Sequence, residues 1–500
     1  MSTSTSAHGG PQPAGTHSDS GFFGQPRALS TLFFTEMWER FSYYGMRAVL
    51  ALYLYTAIDK GGLGWDKPLA LMFVGIYGSA IYMSGVLGGW LADRVTGPQK
   101  TTQYGALLIM FGHIALATPF ADVSLYIGIF FLVIGTGLLK PTINSLVGSL
   151  YSPEDTRRDA GFTIFYMSVN IGAFVGQILT AWLAASPSYG YHWAFGAAAI
   201  GMALGLAQYM LGRNRIGVHT AVAPNPLSPE ERSKVGGRLG IIAFIAVLVL
   251  GAMYAAGVLD AAGVGWLITI MSVILPTLYF VTMLRSPQVT AVERSRLFAY
   301  MPLFVAIALF FMLFEQQSTV LVAFADTKLD RLIGGWEMPP ALFQALNPLY
   351  IVIMAPILAI LWTRLGTRQP TTPIKFSLAL WLIGLAYVIT SVGVLLSGDK
   401  VNVLWLAAML LVMTAGELLL SPVGLSVTTK LAPEAFKAQT VALFFLAIAL
   451  GQGVGAQLTV FYTEGNEANY FFGLAAAALV LGVIVYSIKG RVSEAMRGVH

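Results

Sequence analysis

Four ionisable side chains stand inside one apolar run near the N-terminus: Glu36, Glu39, Arg40 and Arg47. On a helix, about 100° and 1.5 Å per residue place Glu36, Glu39, Arg40, Tyr43, Tyr44 and Arg47 on one face about 140° wide, climbing about 16 Å. Glu36 and Arg40 are i,i+4 partners. Two neighbouring carboxylates facing two guanidiniums, away from water, invite a shared and titratable proton. A buried ion pair is a poor stabiliser by itself, so the arrangement points to proton exchange more than to a structural tie. Three more charges sit deep in apolar runs: Lys140, followed by Pro141, and the lone acids Glu315 and Glu417. An ionisable group at mid-bilayer costs at least about 2.5–3.5 kcal/mol on insertion scales. Seven of them mark a polar pathway. The bases lie in the first half of the chain and the lone acids in the second, so pairs across the halves can form and break.

Softer signals accompany these charges. Asn170 and Asn347-Pro348 are polar at depth, where hydrogen bonding between helices or repair of a kink is a competing explanation. Tyr77, Tyr82, Phe444 and Phe445 are aromatic at depth, more often packing than pocket. Of six histidines (His8, His17, His113, His192, His219, His500), only His113 falls within an apolar run, and it joins no cluster. With zero cysteines there is no thiol chemistry, and no metal site or cofactor is expected. A Walker-type phosphate loop is missing; Gly97-Pro98-Gln99-Lys100-Thr101 is only a fragment of one. ATP is therefore not the expected energy source. One charge moved through 100 mV is worth about 2.3 kcal/mol, which a titratable carboxylate cluster can draw from a proton gradient.

The elements that must position these groups are transmembrane helices. Of 500 residues 56% are hydrophobic and only 11% charged, less than half the usual soluble share of about 25%. That excludes an ordinary globular enzyme and a nucleic-acid-binding protein. A bilayer core about 30 Å thick needs about 20 apolar residues per helix. Fourteen such runs are legible, near 28–57, 70–92, 101–118, 123–148, 160–184, 192–211, 239–257, 263–284, 298–325, 339–363, 375–396, 401–429, 436–461 and 469–489. Residues 1–27 read as a disordered tail, richest in Ser, Thr, Gly and Pro over the first twenty. No basic-then-apolar signal peptide precedes the first run, so that run is expected to be the insertion signal.

With the N-terminus inside, 21 of the 29 Lys and Arg fall on the inner side and five on the outer. Basic loops favour the cytoplasm, so both termini are expected there. The longest connections bracket runs seven and eight, dividing the chain as six, two and six. The expected organisation is an N-terminal bundle over 28–212, a linker with two extra helices over 213–297, a C-terminal bundle over 298–490 and a tail over 491–500. Two six-helix halves joined by a long connection are the sequence shape of a major-facilitator transporter. A faint repeat agrees: Gly89-Trp90-Leu91-Ala92-Asp93-Arg94 closes the second run, and Leu361-Trp362-Thr363-Arg364 its counterpart. The two extra helices are expected to be peripheral packing.

Glu36-x-x-Glu39-Arg40-Phe41-x-Tyr43-Tyr44-Gly45 resembles the first-helix motif of the proton-dependent oligopeptide transporter family. Phe165-Tyr166-x-x-Val169-Asn170-x-Gly172 is similar to its fifth-helix signature, and Gly416-Glu417-Leu418-x-x-Ser421-Pro422 to its tenth-helix motif. The resemblance covers about 28–490. It implies proton-coupled symport of di- and tripeptides by alternating access, in the inner membrane of a cell, with no nucleotide and with a monomer as the functional unit. By that resemblance Arg40, Lys140, Tyr43 and Tyr44 hold the peptide carboxylate. Glu417, with Asn170 and Asn347, takes the ammonium. Gln316, Tyr82, Ser421 and Phe444 line side-chain pockets. Glu36 and Glu39 exchange protons beside Arg40, with Glu315 also in the coupling set. Arg47–Glu315 closes the outer side, and Lys140–Glu417 the inner side. Residues 70–92 contain no histidine, unlike some relatives, and Phe444 and Phe311 stand where Trp is frequent. The same fold and first-helix motif also occur in nitrate and other anion carriers, but an anion carrier has no need of Glu417. An intramembrane enzyme would show a metal cluster or a Ser–His pair at depth, and neither is visible. A nutrient receptor would have no use for the proton motif.

Overall fold

The computed structural model describes residues 21–152 and 155–499. The tail reading of residues 1–20, together with His8, His17 and His500, lies outside that range. Helices α1 (Arg27–Tyr55), α2 (Lys67–Leu91), α3 (Pro98–Ala117), α4 (Ala121–Gly148), α5 (Arg158–Ala185) and α6 (Tyr191–Gly212) come first. The linker carries α7 (Pro229–Ala255) and α8 (Ala261–Arg285). Then follow α9 (Ala291–Phe314), α10 (Val320–Thr327), α11 (Leu346–Leu365), α12 (Thr372–Leu396), α13 (Val403–Leu431), α14 (Lys437–Leu458), α15 (Glu467–Ser487) and the short α16 (Lys489–Ala495).

All fourteen apolar runs are helical. Twelve helical stretches among the described residues are long and apolar enough to cross a bilayer. α1 and α3 fall outside that set. Glu36, Glu39, Arg40 and Arg47 interrupt the middle of α1, and α3 opens on Gln99, Lys100, Thr101, Thr102 and Gln103.

Two helices begin well before their apolar runs. α7 starts ten residues early, where Ser228 and Glu231 form a reciprocal cap: Glu231 N donates to Ser228 Oγ at 3.2 Å and Ser228 N to a Glu231 carboxylate oxygen at 3.0 Å. Thr290 and Glu293 cap α9 in the same way. Such boxes satisfy the first free N–H groups, so the helix extends through polar residues that hydropathy alone leaves out. The ninth run is broken: after Phe314 the chain tightens into a 3₁₀ turn, Glu315–Ser318, before resuming as α10. That turn re-aims Glu315 and the glutamines behind it. At the C-terminus, where a tail is expected, α16 buries Val492 and Met496.

α1 is the central element and is buried along most of its length. It packs on α5 and α6. The α1–α5 crossing is close because α5 presents glycines. A side chain at Gly172 would strike the Met37 carbonyl, and one at Gly176 the Phe41 carbonyl. Small residues let helix backbones approach in lipid, where no hydrophobic force drives association. α3 packs with α4 and α6, and α2 with α4; in the second half α9 packs with α14, and α12 with α13 and α15. The halves meet where α2 lies on α14 and where α5 meets α11 and the 3₁₀ segment Pro340–Ala345 ahead of it. α8 rests against α2 and α14, whereas α7 has no buried residue.

Candidate functional site

The charged face of α1 points inward. Arg40 Nε lies 3.2 Å from Glu36 Oε1 and also bonds the Glu39 carboxylate, all three side chains being buried. Its guanidinium carbon stands 5.1 Å from the Tyr43 ring centre and 5.8 Å from that of Tyr44, within cation–π range. Among the described residues the cluster is incompletely satisfied: one oxygen of each of Glu36 and Glu39, Arg40 Nη2 and the hydroxyls of Tyr43 and Tyr77 are buried without a partner. Orphaned groups of this kind are costly in a static core. They fit a site that takes up a proton, water or ligand.

One to two turns further along α1, the two halves are joined. Arg47 Nη1 meets Glu315 Oε2 at 2.6 Å, with side chains only 6% and 13% exposed. Arg47 Nη2 also donates to Gln452 Oε1 on α14 at 3.5 Å. Gly78 on α2 makes room for Gln452, since a side chain there would overlap the Gln452 amide. Beyond this pair, Gln344 Nε2 donates to the Ala48 carbonyl at 3.1 Å and Tyr55 Oη to Asp326 Oδ2 at 3.0 Å. All of these bonds cross between the first and second halves, so this end is sealed.

A small cavity of about 80 Å³ lies beneath the seal, lined by Tyr44, Arg47, Asn170, Glu315, Asn347 and Glu417 among others. Glu417 is held there by Asn347, whose Nδ2 donates to Glu417 Oε2 and to Thr414 Oγ1, each at 3.0 Å. Asn170 donates to the Tyr166 carbonyl at 3.2 Å. A second, larger cavity of about 940 Å³ opens between α2, α4, α14 and the start of α7. Lys140 and Tyr82 lie on its wall. Lys140 Nζ is 3.2 Å from the Tyr82 hydroxyl and 4.3 Å from its ring centre. The Phe445 ring lies nearly parallel to that of Tyr82, with ring centres 6.4 Å apart.

The expected site residues are brought together in part, with five differences. Glu36, Glu39, Arg40 and Tyr43 line neither of the two cavities. Lys140 and Glu417 are not paired: each has found a neutral partner, Tyr82 and Asn347, in separate cavities. Gln316 lines neither of these two cavities. It is turned between helices, with Nε2 3.4 Å from the Gly455 carbonyl and Oε1 accepting from Thr319; the 3₁₀ turn puts Gln317 and Ser318 on the small cavity instead. Phe444 packs inward against Phe311 and Gly424, and its neighbour Phe445 faces the large cavity. Ser421 is half-buried with an unpartnered hydroxyl and lines neither cavity. Gln177, Gln344, Gln452 and Asp326 were missed. Each is a polar group in or beside an apolar run, and the rule applied to Asn170 would have found the glutamines. No group of three or more His, Asp or Glu placed to hold a metal is present among the described residues.

A polytopic membrane protein with an ionised interior shared between two halves is thus the class that the geometry defines. Residues 99–478 match the POT family. The chain is 46% identical over 481 residues to an uncharacterized transporter, YclF, of Bacillus subtilis (strain 168), covering 96% of each. It is 41% identical over 491 residues to a di-/tripeptide transporter of Lactococcus lactis subsp. lactis (strain IL1403), covering 96% of this chain and 98% of the relative. A crystal structure of peptide transporter POT in complex with sulfate superposes with a TM-score of 0.92 at 48% identity, covering 96% of this chain and 97% of the other. The chain belongs to the POT family.

Proposed function

We propose that this protein is a secondary active transporter that carries di- and tripeptides into the cell together with protons. Family membership and the peptide-transporter relatives support the substrate class. Among the features of the chain, the buried Glu36–Glu39–Arg40 cluster carries most of the weight, because it holds two acids and a guanidinium together inside the bundle, with acidic oxygens that have no partner among the described residues. The fold in this reading is the major-facilitator arrangement: two six-helix bundles plus α7 and α8, fourteen spans in all, with α1 and α3 counted as spans despite their polarity. Both termini lie in the cytoplasm and the protein resides in the inner membrane, working as a monomer.

In this reading Arg40, Tyr43, Tyr44 and Lys140 take the peptide carboxylate. Glu417, with Asn170 and Asn347, takes the ammonium. A zwitterion needs a cation and an anion at a fixed separation, and these charges come from opposite halves. Binding then draws Lys140 and Glu417 towards each other and closes the inner side, while Arg47–Glu315 opens. The intact outer seal and the unpaired Lys140 and Glu417 fit the inward-open state. Tyr82 and Ser421, with Phe445 and Gln317 in place of Phe444 and Gln316, would contact side chains. Protonation of Glu36 or Glu39 loosens their hold on Arg40, and this couples the proton to the carboxylate site. No cofactor takes part.

The test is uptake into proteoliposomes under an inward proton gradient and a membrane potential, with competition by dipeptides, tripeptides, free amino acids and nitrate. Acid-stimulated, saturable dipeptide uptake is expected. Uptake indifferent to both the gradient and the potential would overturn symport, and competition by nitrate alone would move the protein to the anion carriers.

A further inference from the structure

The large cavity does not end at Tyr82 and Lys140. Its far wall is formed by Glu231, Lys234, Val235 and Arg238 of α7. Their spacing of i, i+3, i+4 and i+7 makes them one helical stripe. This is the polar extension that the Ser228 cap adds ahead of the apolar run. α7 is held in place by the Arg94–Glu231 ion pair at 2.8 Å. Two backbone bonds assist, Asn225 N to the Asp93 carbonyl at 3.0 Å and Leu227 N to the Arg94 carbonyl at 3.2 Å. The stretch is thus fixed to the end of α2 and is more than peripheral packing.

The charges along this wall do not balance. Arg94 and Glu231 offset each other, and Asp93 is the one other acid lining the cavity. Against it stand three cations. Lys140 rests on the neutral Tyr82, and among the described residues Lys234 and Arg238 have neither an ion pair nor a hydrogen bond. A cleft lined by one sign of charge with low-dielectric walls concentrates the opposite sign. At about 940 Å³ the cavity lies near the top of the usual ligand-pocket range, and a dipeptide held at Lys140 leaves much of it free.

We propose that Lys234 and Arg238 form a second carboxylate-binding subsite, at the mouth of the substrate cavity, which holds the extra carboxylate of an acidic peptide. It rests on the peptide-transport reading and adds a specificity device to it. The linker thereby supplies substrate contacts.

The test compares Ala-Glu with its neutral isostere Ala-Gln, bound by the full-length protein in phosphatidylcholine nanodiscs. Native protein should bind Ala-Glu more tightly relative to Ala-Gln than Lys234→Gln/Arg238→Gln does, by about three- to tenfold for two partly exposed ion pairs. Lys234→Arg/Arg238→Lys keeps the charge and should keep the preference, which separates a lost contact from a damaged fold. An unchanged Ala-Glu to Ala-Gln ratio in the double Gln variant, with Ala-Gln still bound, would refute the subsite. So would a change that arises only in nanodiscs containing phosphatidylglycerol, because the two cations would then serve lipid headgroups. Failure of the native protein to bind either peptide would overturn the peptide reading itself, a different outcome.

Discussion

Glu315→Gln tests the outer seal. In the native protein the Glu315 carboxylate meets Arg47 at 2.6 Å, and both side chains are almost fully shielded. Removing one partner of a buried ion pair costs about 3–5 kcal/mol, chiefly because the other charge is left uncompensated. The amide keeps one acceptor and Gln452 stands 3.5 Å from Arg47 as a substitute, so the lower end, about 3 kcal/mol, is expected. If the pair forms only in the outside-closed state, the whole loss falls on that state. At about 1.4 kcal/mol per decade, the outside-open population rises about 100-fold. The protein has zero cysteines, so Gln177→Cys gives a single thiol beneath the seal, in a cavity wall it shares with Arg47 and Glu315. Labelling by a membrane-impermeant maleimide from outside should be slow in that background and up to about 100-fold faster with Glu315→Gln added. Glu434→Gln, at a solvent-exposed pair with Lys437, should leave the rate unchanged. A labelling rate that stays the same in Glu315→Gln, in protein with a native thermal midpoint, would show that Arg47–Glu315 is structural and does not hold the outer side shut.

Glu36→Gln and Glu39→Gln should preserve peptide counterflow and abolish gradient-driven uptake; loss of both activities together would assign the pair to folding or binding. Glu417→Ala should weaken peptides with a free amino group by about 10- to 100-fold, as for a charged hydrogen bond worth about 1.5–3 kcal/mol, and N-acetylated peptides far less. Equal losses in a competition assay would remove Glu417 from the ammonium site. Gly176→Val should lower the thermal midpoint or prevent accumulation, because any side chain there meets the Phe41 carbonyl across the α1–α5 crossing. Gly473→Val, with open space around it, is the matched control, and an indifferent Gly176→Val would mean the two helices can separate freely.

Most helices were readable from hydropathy because the bilayer imposes it: a span must be about 20 residues long and apolar wherever it faces lipid. α7 and α9 start ahead of their apolar runs, where hydropathy carries no signal and the caps do. Ser228-x-x-Glu231 and Thr290-x-x-Glu293 are visible capping boxes. The charged face of α1 was equally legible, since helical periodicity puts Glu36, Arg40, Tyr43 and Arg47 on one side whatever surrounds them. Which partner each charge finds is another matter. Gln316 and Gln317 are adjacent in a 3₁₀ turn, and local sequence does not say which of them faces a cavity. The same holds for Phe444 and Phe445.

The sequence by itself determined the approximate extent of most apolar helices and the few ionisable groups carried inside them, because burying a charge in hydrocarbon is costly enough to leave a plain mark. Only the tertiary structure decided that Arg47 is joined to Glu315 while Lys140 and Glu417 stand apart. It also decided that the start of α7 walls a cavity. The pairings depend on how the two halves are set against each other, and Arg47 and Glu315 lie more than 200 residues apart in the chain. The Arg47–Glu315 pair crosses between the halves, so no local pattern along the chain specifies it.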